Sequence, residues 1–150
     1  MSDEVILLVE DNPKDQELIL RALEKSNILN TVVIAHDGVE ALDYLFGRGA
    51  HAGRNVLELP TLVILDLKLP RIDGIEVLRT IRADPRTGLL PAVILTSSTQ
   101  DEDRLAGYSS GANSYVQKPI EFKAFQSAVS QLGLYWLMVN EPPPEPIVER

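Results

Sequence analysis

Cysteine is absent from the 150 residues, which excludes disulfides, thiolate nucleophiles and zinc–thiolate sites. Basic charge is in deficit. Lys and Arg number 14 against 22 Asp and Glu, a formal net charge of −8 that repels phosphate backbones and anionic membranes. Apolar runs are short, none approaching the roughly 18 residues of a membrane span. The opening Met-Ser-Asp-Glu has neither a basic region nor a leader, so a cytoplasmic location is the expectation. No nucleic acid and no membrane partner is expected, and a nucleic-acid module would also lack room.

What is present is a regular alternation. Val5–Val9, Val32–Ala35, Leu62–Leu65, Ala92–Leu95 and Ser114–Val116 are short apolar or β-prone runs, and a helical pattern follows each one. The first and third do not alternate in polarity, as expected of strands covered on both faces of a parallel sheet. Asn12-Pro13 opens the first helix, which should run to about Lys25. Asp37 with Glu40, Asp73 with Glu76, and Thr99 with Glu102 read as caps of the next three helices. A last helix starts near Glu121. Five such units predict an α/β doubly wound, five-stranded parallel sheet. Residues 1–140 form one domain in this reading, and the Pro-rich stretch 141–150 is an extended, solvated tail.

Two segments break the regularity. Residues 47–61 are a longer link than helix–strand connections usually need, equally compatible with a functional loop and an idle insertion. In the last helix Phe122, Phe125, Val129, Leu132, Trp136 and Val139 form one stripe, the expected buried face. Leu134, Tyr135, Leu137 and Met138 lie off it and predict either deeper packing or a subunit contact. Gly133 is a candidate break or kink.

Four of the five strands end in residues with chemical possibilities: Glu10 and Asp11, Asp66, Thr96, and Lys118. In an open parallel sheet those ends share one rim, where ligands bind. Taken singly, each has a plain structural explanation as a turn, cap or solvated charge. Together, three carboxylates repel by roughly 4 kcal/mol per pair at 4 Å and an effective dielectric near 20, and a divalent cation relieves this. An all-oxygen site suits Mg²⁺. A carboxylate beside such an ion can act as a nucleophile toward a phosphoryl group. Lys118 would then pair Asp66 first and the phosphoryl oxygens afterwards, with Thr96 donating its hydroxyl.

Glu10-Asp11, the segment Asp66–Pro70 followed by Asp73-Gly74, Thr96, and Tyr115 with Lys118-Pro119 resemble the response-regulator receiver domain of two-component signalling, over about residues 4 to 132. The resemblance implies a flavodoxin-like fold of strand order 2-1-3-4-5, with an extended C-terminal helix. It implies that Asp66 is the phosphoacceptor for a sensor histidine kinase. Glu10, Asp11, Asp66 and the backbone carbonyl of Lys68 would hold Mg²⁺, or alternatively Mn²⁺. Lys118 would contact the phosphoryl group, Thr96 and Tyr115 would be the switch pair, and Lys68 and Ser98 would tune phosphoryl lifetime. A cis Lys118–Pro119 bond is a further expectation. The Asn12-Pro13 start, the loop after Phe46 and the Gly133-Leu134-Tyr135-Trp136 ending are similar to small regulators paired with bacterial phytochromes. A phytochrome-type kinase is the implied partner, with no output domain following and a homodimer through the C-terminal helix face. Such a protein is a phosphoacceptor with intrinsic autodephosphorylation rather than an enzyme.

A Mg²⁺-dependent phosphohydrolase with an Asp nucleophile is the alternative. It requires a general acid two residues after the nucleophile, where Lys68 stands with its proton firmly held. A flavin carrier is disfavoured because Glu10-Asp11 would repel the cofactor phosphate.

Overall fold

The computed structural model describes residues 4–144; the remainder of the Pro-rich tail, 145–150, lies outside the described residues. The strands β1 (Val5–Val9), β2 (Thr31–Ala35), β3 (Leu62–Leu65), β4 (Ala92–Thr96) and β5 (Ser114–Gln117) form one sheet in the order β2-β1-β3-β4-β5, every pair parallel. Helices α1 (Pro13–Lys25), α2 (Gly38–Phe46), α3 (Gly74–Ala83), α4 (Asp101–Ser109) and α5 (Phe122–Leu134) connect and cover it. The expected strand order and helix count are both present.

Each helix start follows from local chemistry. Asn12 Oδ1 accepts from the amides of Lys14 and Asp15, Asp37 Oδ1 from Glu40, and Asp73 Oδ1 from Glu76, so three orphan helix ends are satisfied by side chains. The fourth expected cap is corrected. Helix α4 begins one residue later, after Gln100, and Thr99 makes no cap bond; Ser98 Oγ accepts from Gln100 N instead.

Because β1, β3 and β4 are buried on both faces, the sheet divides the core in two. Leu7, Val9, Val63, Leu65 and Ile94 meet α2 and α3 through Leu42, Leu45, Val77, Leu78 and Ile81. Ile6, Leu8, Ile64, Val93 and Leu95 meet α1 and α5 through Ile19, Leu23, Phe125, Val129 and Leu132. Neighbouring residues of one strand thus point into opposite layers, as a pleated strand requires.

The link 47–61 is folded back onto α2. Arg54 donates from Nε to the Tyr44 carbonyl (2.6 Å), from Nη2 to Leu45 (3.1 Å) and from Nη1 to Glu58 (2.8 Å), and its guanidinium lies 4.2 Å from the centre of the Tyr44 ring. A cation satisfying the last carbonyls of a helix is a favourable C-terminal arrangement. The segment is therefore pinned by its own side chain.

The end of the chain departs from expectation in two ways. Helix α5 continues through Gly133 without a break, and a π-helical turn takes over at Tyr135–Val139. Gly133 is where α5 touches α1: a Cβ there would sit 2.5 Å from Ile28 Cδ1 and 2.9 Å from Leu23 Cδ2. The apolar stripe is also shorter than expected. Phe125, Val129 and Leu132 are buried, whereas Phe122 and Val139 are exposed at its ends. Off the stripe, Leu134, Tyr135 and Met138 are exposed and Leu137 packs against the α1–α5 layer, so deeper packing accounts for only one of the four.

Candidate functional site

The carboxyl ends of β1, β3 and β5 deliver Glu10, Asp66 and Lys118 to one point. Glu10 follows directly on Val9, and its amide is held by the Ala35 carbonyl (3.0 Å), while the Asp66 amide is held by Val9 (3.1 Å). Backbone pairing of three adjacent strands therefore sets the spacing of two carboxylates before any side chain is considered. Lys118 N donates to the Thr96 carbonyl, which ties the fourth and fifth strand ends together (2.6 Å).

Lys118 Nζ donates to Asp66 Oδ2 at 2.8 Å, Glu10 Oε1 at 2.5 Å and Asp15 Oδ2 at 2.9 Å, using all three ammonium protons. Glu10, Asp66 and Lys118 are buried, Asp15 is half-buried and Asp11 is exposed at the rim. Burial disfavours a charged glutamate, and the charge of Asp66 adds to this. The Lys118 ammonium opposes both but does not prevail, and the Glu10 carboxyl is pushed up to about 7. Burial would lower the pKa of Lys118, yet its hydrogen bonds to Asp66, Glu10 and Asp15 outweigh that and hold the ammonium above the usual lysine range.

Asp15 is a member of this cluster that sequence reasoning missed. An acid in the first turn of a helix is fully accounted for by the macrodipole, so nothing local singled it out. Gln16 beside it donates Nε2 to the Glu10 carbonyl (2.7 Å), fixing α1 against the end of β1.

Glu10, Asp11 and Asp66 each place a carboxylate oxygen within 4.8 Å of the others. With Asp15, three carboxylates meet one ammonium and Asp11 lies at the rim, a formal surplus of three negative charges. Hard, oxygen-only donors with surplus negative charge fit a divalent cation of the Mg²⁺ or Mn²⁺ kind.

The loop after Asp66 is held from two sides. Lys68 N donates to Asp66 Oδ1 (3.2 Å), and Gly74 N donates to the Leu67 carbonyl (2.9 Å). Gly74 has no room for a side chain, since a Cβ would lie 2.2 Å from the Asp66 carbonyl oxygen. Arg71, at φ +67°, donates from Nε and Nη2 to both carboxylate oxygens of Asp37, anchoring the same loop to the start of α2.

Thr96 is completely buried at the end of β4, and its Oγ1 accepts from the Ser98 amide (3.4 Å); among the described residues no hydrogen bond joins it to Asp66. Tyr115 is half-buried with its ring against Gly107 of α4, and its hydroxyl donates to the Ser98 carbonyl (3.3 Å). Lys68 and Ser98 do not touch Asp66 with their side chains. Both instead meet Asp103 of α4, at 3.7 Å and 2.6 Å. The expected cis bond is corrected: among the described residues no peptide bond is cis, so Lys118–Pro119 takes the trans form that X–Pro bonds prefer by about 0.5–1 kcal/mol. No helix among the described residues is long and apolar enough to cross a membrane.

Comparison with known proteins gives this geometry a family. The probable methanogenesis regulatory protein FilR2 of Methanothrix harundinacea is 42% identical over 139 residues, covering 93% of this chain and 87% of that protein. The response regulator Rcp1 of Synechocystis is 36% identical over 142 residues, 91% of this chain and 95% of its own, and has been solved in a Mn²⁺-bound form (TM-score 0.86, covering 94% and 99%). The phosphorylated cyanobacterial phytochrome response regulator RcpA superposes with a TM-score of 0.88 at 35% identity, over 95% of this chain and all of that one. The response regulator receiver domain matches residues 6–130, most of the chain and every residue of the carboxylate–lysine cluster. The chain belongs to the response-regulator receiver-domain family.

Proposed function

We propose that the chain relays a signal by accepting a phosphoryl group on Asp66 from the phosphohistidine of a sensor kinase, with a phytochrome-type kinase as the partner. The carrying observation is that one Asp66 carboxylate is bonded to Lys118 Nζ while lying within shared-ion distance of Glu10 and Asp11. A carboxylate oxygen of Asp66 attacks phosphorus, the bond to the histidine nitrogen breaks, and that nitrogen keeps the electron pair. Glu10, Asp11, Asp66 and the Lys68 carbonyl would hold Mg²⁺, which supplies charge neutralisation at the transferring oxygens. Lys118 already faces the attacking carboxylate and would move its contact to the phosphoryl oxygens as they arrive.

Thr96 and Tyr115 are the proposed switch pair. Phosphorylation adds charge and acceptor oxygens at Asp66. The Thr96 hydroxyl turns to them, vacating space that the Tyr115 ring fills by turning further inward. The surface of α4, β5 and α5 changes with that choice, so the message passes by protein contact. The exposed C-terminal face would then form a homodimer. Lys68 and Ser98 set the lifetime of the phosphoryl group, which Asp66 loses by intrinsic hydrolysis. In this reading residues 1–140 are the receiver, 141–150 a tail, and the protein works in the cytoplasm.

The deciding experiment incubates the protein with autophosphorylated phytochrome-type kinases, with and without Mg²⁺, beside an Asp66→Ala control. Label on the wild type alone, and only with the metal, is the expected result. Label that survives Asp66→Ala removes the reading.

A further inference from the structure

Asp103 joins the two residues that flank the site without touching it. It lies in the first turn of α4, and its Oδ2 accepts a 2.6 Å hydrogen bond from Ser98 Oγ. The same oxygen lies 3.7 Å from Lys68 Nζ. Lys68 follows β3, where its amide is bonded to Asp66 Oδ1. Ser98 follows β4, where its amide is bonded to Thr96 Oγ1 and its carbonyl takes the Tyr115 hydroxyl. One carboxylate thus closes a bridge between the residue two past Asp66 at the β3 end and the residue two past Thr96 at the β4 end.

We infer that Asp103 is a positioning residue that straps Lys68 to Ser98 across the mouth of the Asp66 site and so prolongs the life of the acyl phosphate. The inference rests on Asp66 being the phosphoacceptor. Loss of the phosphoryl group requires water to approach phosphorus in line with the bond to Asp66. The water oxygen bonds to phosphorus, the bond to the Asp66 oxygen breaks, and its electron pair returns to the carboxylate. A proton of the water passes to solvent, leaving inorganic phosphate. A strap between the β3 and β4 ends would narrow that approach.

The two halves of the strap differ in strength. The Ser98 bond is short and charge-assisted. The Lys68 contact is longer, and the lysine is 72% exposed, so it opens and closes and is weakened by salt. The strap therefore slows water without sealing the site. Asp103 also lies in the first turn of the helix against which Tyr115 packs, so opening the mouth would loosen the start of α4.

The test treats wild type, Asp66→Ala, Asp103→Ala, Asp103→Asn, Lys68→Ala and the Asp103→Ala/Lys68→Ala double variant with acetyl phosphate and Mg²⁺, removes the donor, and follows decay. Decay should accelerate about three- to tenfold in Asp103→Ala and less in Asp103→Asn, which keeps an acceptor for Ser98. The Asp103→Ala/Lys68→Ala variant should decay no faster than the faster single variant. Rising salt should speed wild-type decay and leave Asp103→Ala indifferent. Incorporation with decay within twofold of wild type, or strictly multiplicative effects of the two substitutions, overturns the strap alone. Absence of incorporation, or incorporation that survives Asp66→Ala, overturns the phosphoacceptor reading and the strap with it.

Discussion

Lys118 Nζ and Glu10 Oε1, 108 positions apart in the chain, meet at 2.5 Å with both side chains buried. The pair is one arm of a three-armed contact in which a single ammonium serves Glu10, Asp15 and Asp66. A lysine so placed neutralises part of a cluster that a divalent cation also neutralises. On the proposed reading, lysine and metal would compete for charge as well as act together in transfer.

Replacing that lysine separates the two roles. Lys118→Met removes a positive charge beside the acidic cluster, so Mg²⁺ affinity should rise by roughly tenfold, a fraction of the Coulomb repulsion expected at these distances. Phosphoryl incorporation should fall by about 10²-fold or more, the usual cost of deleting a preorganised charge that meets the transferring group. Without metal the variant should also be less stable at neutral pH, because buried carboxylates are left without their cation. Isothermal titration with Mg²⁺ and acetyl-phosphate labelling give the two readouts. Weaker metal binding in Lys118→Met contradicts the competition.

Glu10 carries a pH dependence with a definite sign. Burial raises its carboxyl from an ordinary 4.5 to about 7 in the folded chain, so between those values the native state holds more protons than the unfolded one. The stability it contributes is present below about pH 4.5 and is lost as pH rises through about 7. A metal must displace that proton, so Mg²⁺ affinity should climb with pH and level off above 7, with proton release on binding. Titrations in buffers of different ionisation enthalpy measure the release. Glu10→Gln should abolish it and flatten this part of the stability profile.

Gly74 tests how the loop is aimed. Its absent Cβ would lie 2.2 Å from the Asp66 carbonyl oxygen and 2.7 Å from Leu67 Cα, both backbone atoms that cannot swing aside. Gly74→Ala gains up to about 1 kcal/mol of helix propensity and should nevertheless destabilise the protein, since overpacking costs roughly 1–3 kcal/mol and here displaces main chain. Because the displaced residue is Asp66, metal affinity should fall with stability. Urea denaturation and Mg²⁺ titration of the same variant test both, and a loss confined to stability counts against the positional argument.

How far the sequence could be read differs by kind of residue. That Glu10, Asp66 and Lys118 meet is legible because a parallel sheet puts every strand end on one rim, so position along the chain implies position in space. Asp15 and Asp103 are not legible in this way, because each sits in the first turn of a helix, where an acid needs no further explanation. Their contacts depend on how α1 and α4 are oriented over the sheet, which periodicity does not encode. The α4 cap differs for a related reason: Ser98 and Thr99 can both cap a helix, and it is Ser98 whose hydroxyl accepts from Gln100 N while donating to Asp103. Gly133 looks in sequence like a weakness of α5, whereas its bareness admits Leu23 and Ile28, which pack in the same layer.

The exposed end of the chain leads to the last prediction. Tyr135, Met138 and Val139 are 50%, 74% and 67% exposed on one π-helical turn, with Leu134 adjoining them. A side chain of this size gains about 1.5–3 kcal/mol when fully covered, so covering even half of such a cluster twice over in a symmetric pair supplies several kcal/mol toward association. Met138→Glu would place a charge within the contact proposed for the homodimer. The dimer dissociation constant should weaken by at least about tenfold, read by sedimentation velocity, with no change in the melting temperature of the monomer. If the switch reaches this face, the wild type should associate more tightly with Mg²⁺ and the phosphoryl mimic beryllium trifluoride, whereas Tyr115→Ala should not respond. Equal association of wild type in both conditions would separate the dimer from the switch, and unchanged association in Met138→Glu would locate the subunit contact elsewhere on the protein.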